Sequence, residues 1–288
     1  MLQVLVSAVP LAAMYALVAV GFVIVYRSSR VLNFAQGQLT LLGAYFCYSG
    51  VALLGGHFYL GLLVACLASV VVGVIIYRIF LRSFTALDPL LGVMITIALA
   101  TLIESVYTIV WGTSPLTLAE PFVSHGIHLG GGVVVTTLEL ATVAAAVIMI
   151  GGVLAVLRWT RFGLSMRAAA EAPALASYRS VNVSRVAAAS WAVAVASAAI
   201  AGIAYSLQSQ IDPSSIALGV ATFPAILIGG LDSIGGVLVG SLVLAVIDQI
   251  VTTYVGGSWT DAVAYLILLA VLLVRPNGLF GSKTPVRL

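Results

Sequence analysis

Apolar residues run through most of this chain in long segments, and short polar stretches separate them. A helix needs about 20 apolar residues to cross the hydrocarbon core of a bilayer. The pattern predicts eight such helices, at residues 4–26, 39–54, 58–80, 90–111, 137–157, 186–207, 235–254 and 260–274. A shorter segment at 218–231 contains Pro224 and ends in Gly229 and Gly230. It predicts a half-helix or a tilted span.

These segments predict an all-α fold, a polytopic membrane helix bundle in a single domain over residues 1–288. The number of crossings is eight or nine, depending on how the Pro- and Gly-broken segment is counted. Composition agrees, because 62% of the 288 residues are hydrophobic and only 7% are charged, whereas soluble domains carry about 25% charged residues. We therefore expect membrane lipid to surround most of the chain.

The twelve basic residues lie in four clusters, and these clusters predict the orientation of the chain. Arg27 and Arg30 follow the first apolar segment, Arg78 and Arg82 follow the third, and the others lie at 158–185 and 275–287. Short loops rich in Lys and Arg stay on the cytoplasmic side. The N-terminus is then outside and the C-terminus is cytoplasmic. The net charge of +3 reflects this orientation, so nucleic acid is not an expected partner.

Two loops differ in character. The loop at 113–132 has no basic residue and is expected outside the cytoplasm. It holds His125 and His128, but with no acidic or thiol partner in reach we expect a solvated loop rather than a metal site. The loop at 158–185 is basic and rich in alanine. We expect it to be a cytoplasmic loop with one short helix at 166–177.

A polar stripe is predicted on the fourth segment, where Thr101, Glu104, Ser105 and Thr108 recur at helical spacing. Ionisable groups at bilayer depth usually face the bundle interior or a watery cavity. The stripe therefore either bonds to neighbouring helices or lines a pore or gate, and the sequence favours neither.

Two other polar groups receive different interpretations. Asp248 shares a helical face with Ser241 and Thr252, and the small residues Gly235, Gly236 and Gly240 precede it. Small residues let helices approach closely, so Gly236, Gly240 and Asp248 are predicted to serve helix packing.

The second apolar segment opens with uncharged polar residues. Asn33, Gln36 and Gly37 precede it. Non-helical backbone at membrane depth is tolerated where it lines a cavity or is buried in protein. We expect these residues to form a substrate path or gate.

Catalytic motifs are lacking in the sequence. A phosphate-binding loop needs a lysine after a glycine-rich turn, but the sole lysine is Lys283 in the C-terminal tail. The chain is therefore not expected to be an enzyme. A proton- or ion-coupled secondary transporter, using Glu104 and Asp248, stays open. The loop at 158–185 favours docking to a separate cytoplasmic motor instead.

A series of motifs resembles a known family. The strings are YALVAVG at 15–21, NFAQG at 33–37, LGAY at 42–45, IGGLDSIGG at 228–236 with Gly240, and RPNGLFG at 275–281. In this order and spacing they resemble the LivH-type permease subunits of ATP-binding-cassette importers for branched-chain amino acids. The resemblance implies a permease of the bacterial cytoplasmic (inner) membrane, which we expect to work by alternating access. From the polar groups described above, we expect the substrate path to pass Asn33, Gln36, Gly37, Thr101, Glu104 and Thr108.

The same resemblance implies several partners. They are a homologous second permease subunit, two cytoplasmic ATPase subunits that hold ATP and Mg, and an extracytoplasmic substrate-binding protein; no cofactor is bound by this chain. The loop at 158–185 then resembles an ATPase-docking (coupling) helix, with matches at Arg167, Ala168, Glu171, Ala172 and Asn182. Ser180 replaces the family's usual glycine. Permeases of this type also serve urea and short amides, so the substrate stays open.

Overall fold

The computed structural model describes residues 1–82, 89–119, 125–130, 133–171, 173–178, 181–213 and 217–281. Eleven α-helices form within these ranges. They are α1 Leu2–Ser29, α2 Gln36–Leu53, α3 Phe58–Ile76, α4 Pro89–Trp111, α5 Thr137–Trp159, α6 Arg161–Glu171, α7 Pro173–Tyr178, α8 Val183–Ser206, α9 Ala217–Gly229, α10 Ile234–Tyr254 and α11 Thr260–Val274. A π-helical turn, Tyr77–Leu81, extends α3.

The predicted all-α membrane bundle is confirmed. Every apolar segment predicted as a span is helical, and seven helices of the described part are long and apolar enough to cross a membrane. The two others, α2 and α9, are less apolar or shorter. The choice between eight and nine crossings therefore remains a prediction.

The region of the short helix expected at 166–177 is helical on both sides of residue 172, as α6 and α7. One feature was not predicted. The loop at 113–132 contains strand β1, Gly126–Gly130, which pairs antiparallel with β2, Val133–Thr136.

Helices α1 and α8 form the centre of the bundle, and both are buried along most of their length. They run antiparallel and close together. The Ser197 hydroxyl donates a hydrogen bond to the carbonyl of Leu17, and a Cβ on Gly21 would lie 2.8 Å from the carbonyl oxygen of Ala194. On the other side of α8, Gly73 of α3 lies against the backbone of Trp191. Small residues thus set the spacing of the central helices.

The packing repeats itself between the two ends of the chain. Helix α1 packs on α10 as α8 packs on α3, and α2 packs on α8 as α9 packs on α1. Likewise α2 contacts α3 and α4, while α9 contacts α10 and α11. The first four helices therefore correspond to the last four, α8 to α11. Corresponding helices run in opposite directions, so the two halves form an inverted repeat.

One end of the bundle collects the positive charge. Arg27 lies in the last turn of α1 and Arg158 in the last turn of α5. Both border one cavity with Arg167 of α6 and Phe280 beyond α11. Arg30 donates a hydrogen bond to the carbonyl of Ala170 in α6. We call this end the basic side. It holds all nine described arginines, Arg27, Arg30, Arg78, Arg82, Arg158, Arg161, Arg167, Arg185 and Arg275.

The opposite end carries the β-hairpin and is called the hairpin side. The Gln3 side chain at the start of α1 exchanges two hydrogen bonds with the backbone of Val134 in β2. Helix α5 begins here with a capping box, in which Thr136 and Glu139 each satisfy a backbone N–H of the other. Leu116 and Ile211 form a backbone bridge between two loops. These contacts fix the hairpin on the bundle.

Candidate functional site

Two helices begin inside the bundle rather than at its ends. After α1 ends on the basic side, residues 30–35 turn back, and α2 starts beside the middle of α1. The Gln36 side-chain amide donates to the carbonyl of Val18 at 3.3 Å. Helix α9 starts next to it, because Gly219 lies against the backbone of Gly37. We call this meeting of the two helix N-termini the midplane junction.

Amide side chains satisfy the broken backbone at the junction. Asn33 donates to the Gln36 side-chain oxygen at 2.8 Å and accepts from the backbone N–H of Ala35 at 3.1 Å. Asn33 is 0% exposed and Gln36 is 1% exposed. Buried backbone groups without partners are costly in free energy. The Asn33 and Gln36 side chains supply partners where the helix is interrupted and so stabilise the break. Their geometry is that of a structural clamp.

Aromatic and threonine side chains close the junction on the basic side. Phe223 of α9 packs edge-on against Phe22 and stacks on Phe34, with ring centroids 5.4 and 5.3 Å apart. The Thr96 hydroxyl of α4 accepts from the backbone N–H of Phe34 at 3.2 Å. The re-entrant segment 30–35 is therefore held by α1, α4 and α9 together.

The polar stripe of α4 faces outward from the chain. Thr101 and Ser105 are exposed, whereas Glu104 and Thr108 are half-buried. The hydroxyls of Thr101 and Ser105 bond back to carbonyls of their own helix. Among the described residues, none forms a hydrogen bond or an ion pair with the Glu104 carboxylate. A polar stripe at membrane depth thus lies open on the surface of this subunit.

Asp248 of α10 lies in the interior and accepts a hydrogen bond from α1, one of the two central helices. It is 4% exposed, and the Tyr15 hydroxyl donates to its Oδ2 at 2.7 Å. Gly236 and Gly240 of the same helix lie against the backbone of Gly229 and Ala225 in α9, while Gly235 has open space around it. The structure therefore places Gly236, Gly240 and Asp248 in helix contacts.

Helices α6 and α7 lie on the basic side and expose apolar side chains. Leu164 and Leu175 are 62% and 67% exposed, and Tyr178 is 87% exposed. Arg167 is exposed, and Ala168 is half-buried. Asn182 caps α8 by accepting from the backbone N–H of Arg185 at 3.0 Å. We call α6 and α7 the projection.

Other predicted coupling residues fall outside this description. Ala172 and Ser180 lie outside the described residues, and only the backbone of Glu171, at the end of α6, is described.

The predicted site residues fall into three separate places. Asn33, Gln36 and Gly37 meet at the junction, Thr101, Glu104 and Thr108 lie on the outer face of α4, and Arg167, Ala168 and Asn182 lie at the projection or beside it. Sequence reasoning did not find Gly219 or Tyr15, which complete the junction and the Asp248 contact. No local signal marks them, because each depends on a partner in a distant helix.

An inverted repeat whose broken helices meet near the bilayer midplane is an architecture found among membrane transporters. The comparison with known proteins agrees with this class. The chain belongs to the family described as "Branched-chain amino acid transport system / permease component", whose profile matches residues 4–272. The protein is therefore a membrane permease component.

Relatives similar over nearly the whole chain carry related names. The high-affinity branched-chain amino acid transport system permease protein LivH of Escherichia coli K12 is 27% identical, over 97% of this chain and 95% of its own length. BraD of Pseudomonas aeruginosa is 26% identical over the same shares. A probable LivH of Methanocaldococcus jannaschii is 26% identical over 92% of this chain and 88% of its own. No solved structure matches the chain.

Proposed function

We propose that this protein is the permease subunit of an ATP-driven importer that carries branched-chain amino acids across a bacterial inner membrane by alternating access. The names of its relatives support the substrate. The observation that best supports ATP-driven transport is the exposed apolar surface of the projection on the basic side. A permease without its own phosphate-binding loop needs such a contact with a separate motor.

The orientation follows from the distribution of charge. All described arginines lie on the basic side, and positively charged loops stay in the cytoplasm. The basic side is then cytoplasmic, and so is the chain terminus after α11. The N-terminus and the hairpin face outward, where an extracytoplasmic binding protein would deliver substrate.

The projection is the proposed docking site for the ATPase subunits. Its exposed Leu164, Leu175 and Tyr178 have no lipid to cover them if they lie beyond the membrane. Apolar and aromatic side chains of this kind form the centres of protein interfaces. Helix α6 continues directly from α5 and contacts α8, so a movement of the projection reaches the central helices.

The outer stripe of α4 is the proposed wall of the substrate path. Thr101, Ser105, Glu104 and Thr108 would be costly against lipid, so a homologous second permease subunit is expected to face them. A zwitterionic amino acid could then pass between the subunits along hydroxyls and one carboxylate. Asn33, Gln36 and Gly37 would support this path by fixing the junction behind it.

Cysteine accessibility tests the path. In a chain whose Cys47 and Cys66 are replaced by alanine, we expect Ser105→Cys in the assembled importer to react with a charged, membrane-impermeant thiol reagent. Substrate should slow the reaction. Val106→Cys, at the same depth as Ser105 but about 100° further around α4 and also exposed, is the control and should stay unreactive. Labelling only at position 106 would show that lipid, not the path, covers the stripe.

Transport by reconstituted vesicles tests the proposed function as a whole. Vesicles that contain both permeases and the ATPase subunits should take up labelled leucine when ATP and the binding protein are supplied. Omitting the ATPase subunits should remove uptake. Uptake that persists without them and follows a proton gradient would establish a secondary carrier instead. Uptake of urea or short amides, but not leucine, would keep the permease role and replace the substrate.

A further inference from the structure

A long apolar groove lies on the outer surface of the bundle, far from the stripe of α4. Helix α8 forms its floor and α5 forms one wall along its whole length. Helix α3 forms the facing wall only in the half near the hairpin, and residues of α1 and α6 line the half near the basic side. Two cavities of about 280 and 380 Å³ make up the groove and share Ile148 and Met149 of α5. It follows α5 from Leu138 to Leu157. This is roughly 30 Å of helix, close to the thickness of the hydrocarbon core.

The buried polar groups in the lining of the groove are satisfied within their own helices. The hydroxyls of Thr142 and Ser190 each donate to a carbonyl one turn earlier, and the exposed Tyr59 lies at the end near the hairpin. The remaining wall is aliphatic or aromatic apart from Cys66 and small residues. The depth comes partly from Gly152 of α5, where an added Cβ would meet nothing within 4 Å. Such a lining suits a hydrocarbon chain and offers nothing to a polar solute.

Positive charge lies at one end of the groove. Arg185 lies in the first turn of α8, about one and a half helical turns before Ser190, which lines this end of the groove. Arg161 begins α6, next to Phe162 at the same end of the groove. Both arginines are exposed, and neither forms an ion pair with a described residue.

We propose that the basic-side half of this groove binds an anionic phospholipid, with an acyl chain lying between α5 and α8 and the phosphate beside Arg185 and Arg161. Trp159 ends α5 at the same level and is exposed, as expected for an aromatic side chain at a membrane interface. The bound lipid would fill the space between α5 and α8. It would thereby stabilise the position of α5, from which the projection continues.

Native mass spectrometry of the full-length chain and of the assembled importer tests the site. The probes are phosphatidylglycerol and phosphatidylcholine with the same acyl chains. Phosphatidylglycerol should form the more abundant adduct. Arg185→Gln should reduce this preference about fivefold, because one arginine near an anionic headgroup contributes on that scale. Arg78→Gln removes a charge that is not on the groove and should leave the preference unchanged.

A matched pair of α5 variants tests the groove itself. Gly152 lines the groove and Gly151 does not, yet an added Cβ meets nothing within 4 Å at either position. Gly152→Phe should fill the groove and lower the adduct about tenfold relative to Gly151→Phe. Thermal unfolding of both variants checks that each is folded.

Three outcomes would overturn the proposal. One is equal adducts for Gly152→Phe and Gly151→Phe. Another is equal binding of the two lipids by the unmodified chain. The third is loss of the adduct when the second permease is added, which would show that a protein helix covers the groove. The small residues of α5 would admit such a helix. None of these outcomes bears on ATP-driven uptake, so they are separable from the proposed function.

Discussion

Gly219→Val is expected to abolish transport and to destabilise the bundle strongly. A Cβ at this position would overlap the Cα of Gly37. Both glycines belong to helix backbone, in α9 and α2, so neither can move aside without displacing its helix. Overpacking a tight site typically costs about 1–3 kcal/mol, and here the strain falls on the start of two helices at once. Uptake by reconstituted vesicles and thermal unfolding of the purified chain measure the effect.

Gly235→Val provides the control for this variant. Gly235 also lies in a helix, α10, but an added Cβ there meets nothing within 4 Å. It should keep nearly normal stability, because valine is no less favourable than glycine in a helix. Normal uptake and stability in Gly219→Val would mean that the two helix N-termini do not meet as described.

Leu175→Asp is expected to uncouple the permease from its motor while leaving the bundle folded. The side chain is 67% exposed on α7, so a carboxylate there costs the isolated chain little. In a docked complex the same carboxylate would be buried against an apolar surface. Central apolar residues of interfaces contribute about 2 kcal/mol or more. Co-purification of the ATPase subunits should fall more than about tenfold, and ATP-driven uptake should fall with it.

Ile127→Asp is the matched control on the hairpin side. Ile127 in β1 is 41% exposed, so the same kind of substitution is made at the other end of the bundle. It should leave co-purification of the ATPase subunits unchanged. Retention of these subunits by Leu175→Asp, or their loss in Ile127→Asp, would remove the docking role from α7.

The sequence predicted the helices well because length and hydropathy determine which segments can lie in lipid. It also predicted the irregular start of α2, since Asn33 and Gln36 stand out at the edge of an apolar segment. The β-hairpin was missed because its strands are only five and four residues long and three consecutive glycines, 130–132, separate their apolar residues.

Relations between distant helices were beyond the sequence. Helical spacing placed Thr101, Glu104 and Thr108 on one face of α4, but only the packed bundle shows that this face points away from the chain. The contacts of Tyr15 with Asp248 and of Gly37 with Gly219 join residues far apart in sequence. The inverted repeat left one weak trace, the similar strings LLGG at 53–56 and LIGG at 227–230.

The inverted repeat has an energetic consequence for the working cycle. Because one half is the other turned upside down, a tilt that opens the bundle toward one compartment has a counterpart that opens it toward the other, built from equivalent contacts. Two such conformers have similar free energies, and a modest bias from outside then suffices to exchange their populations. Little free energy is then needed to exchange the two conformers. In the proposed cycle, most of the free energy of ATP hydrolysis therefore remains available to move substrate against its concentration gradient.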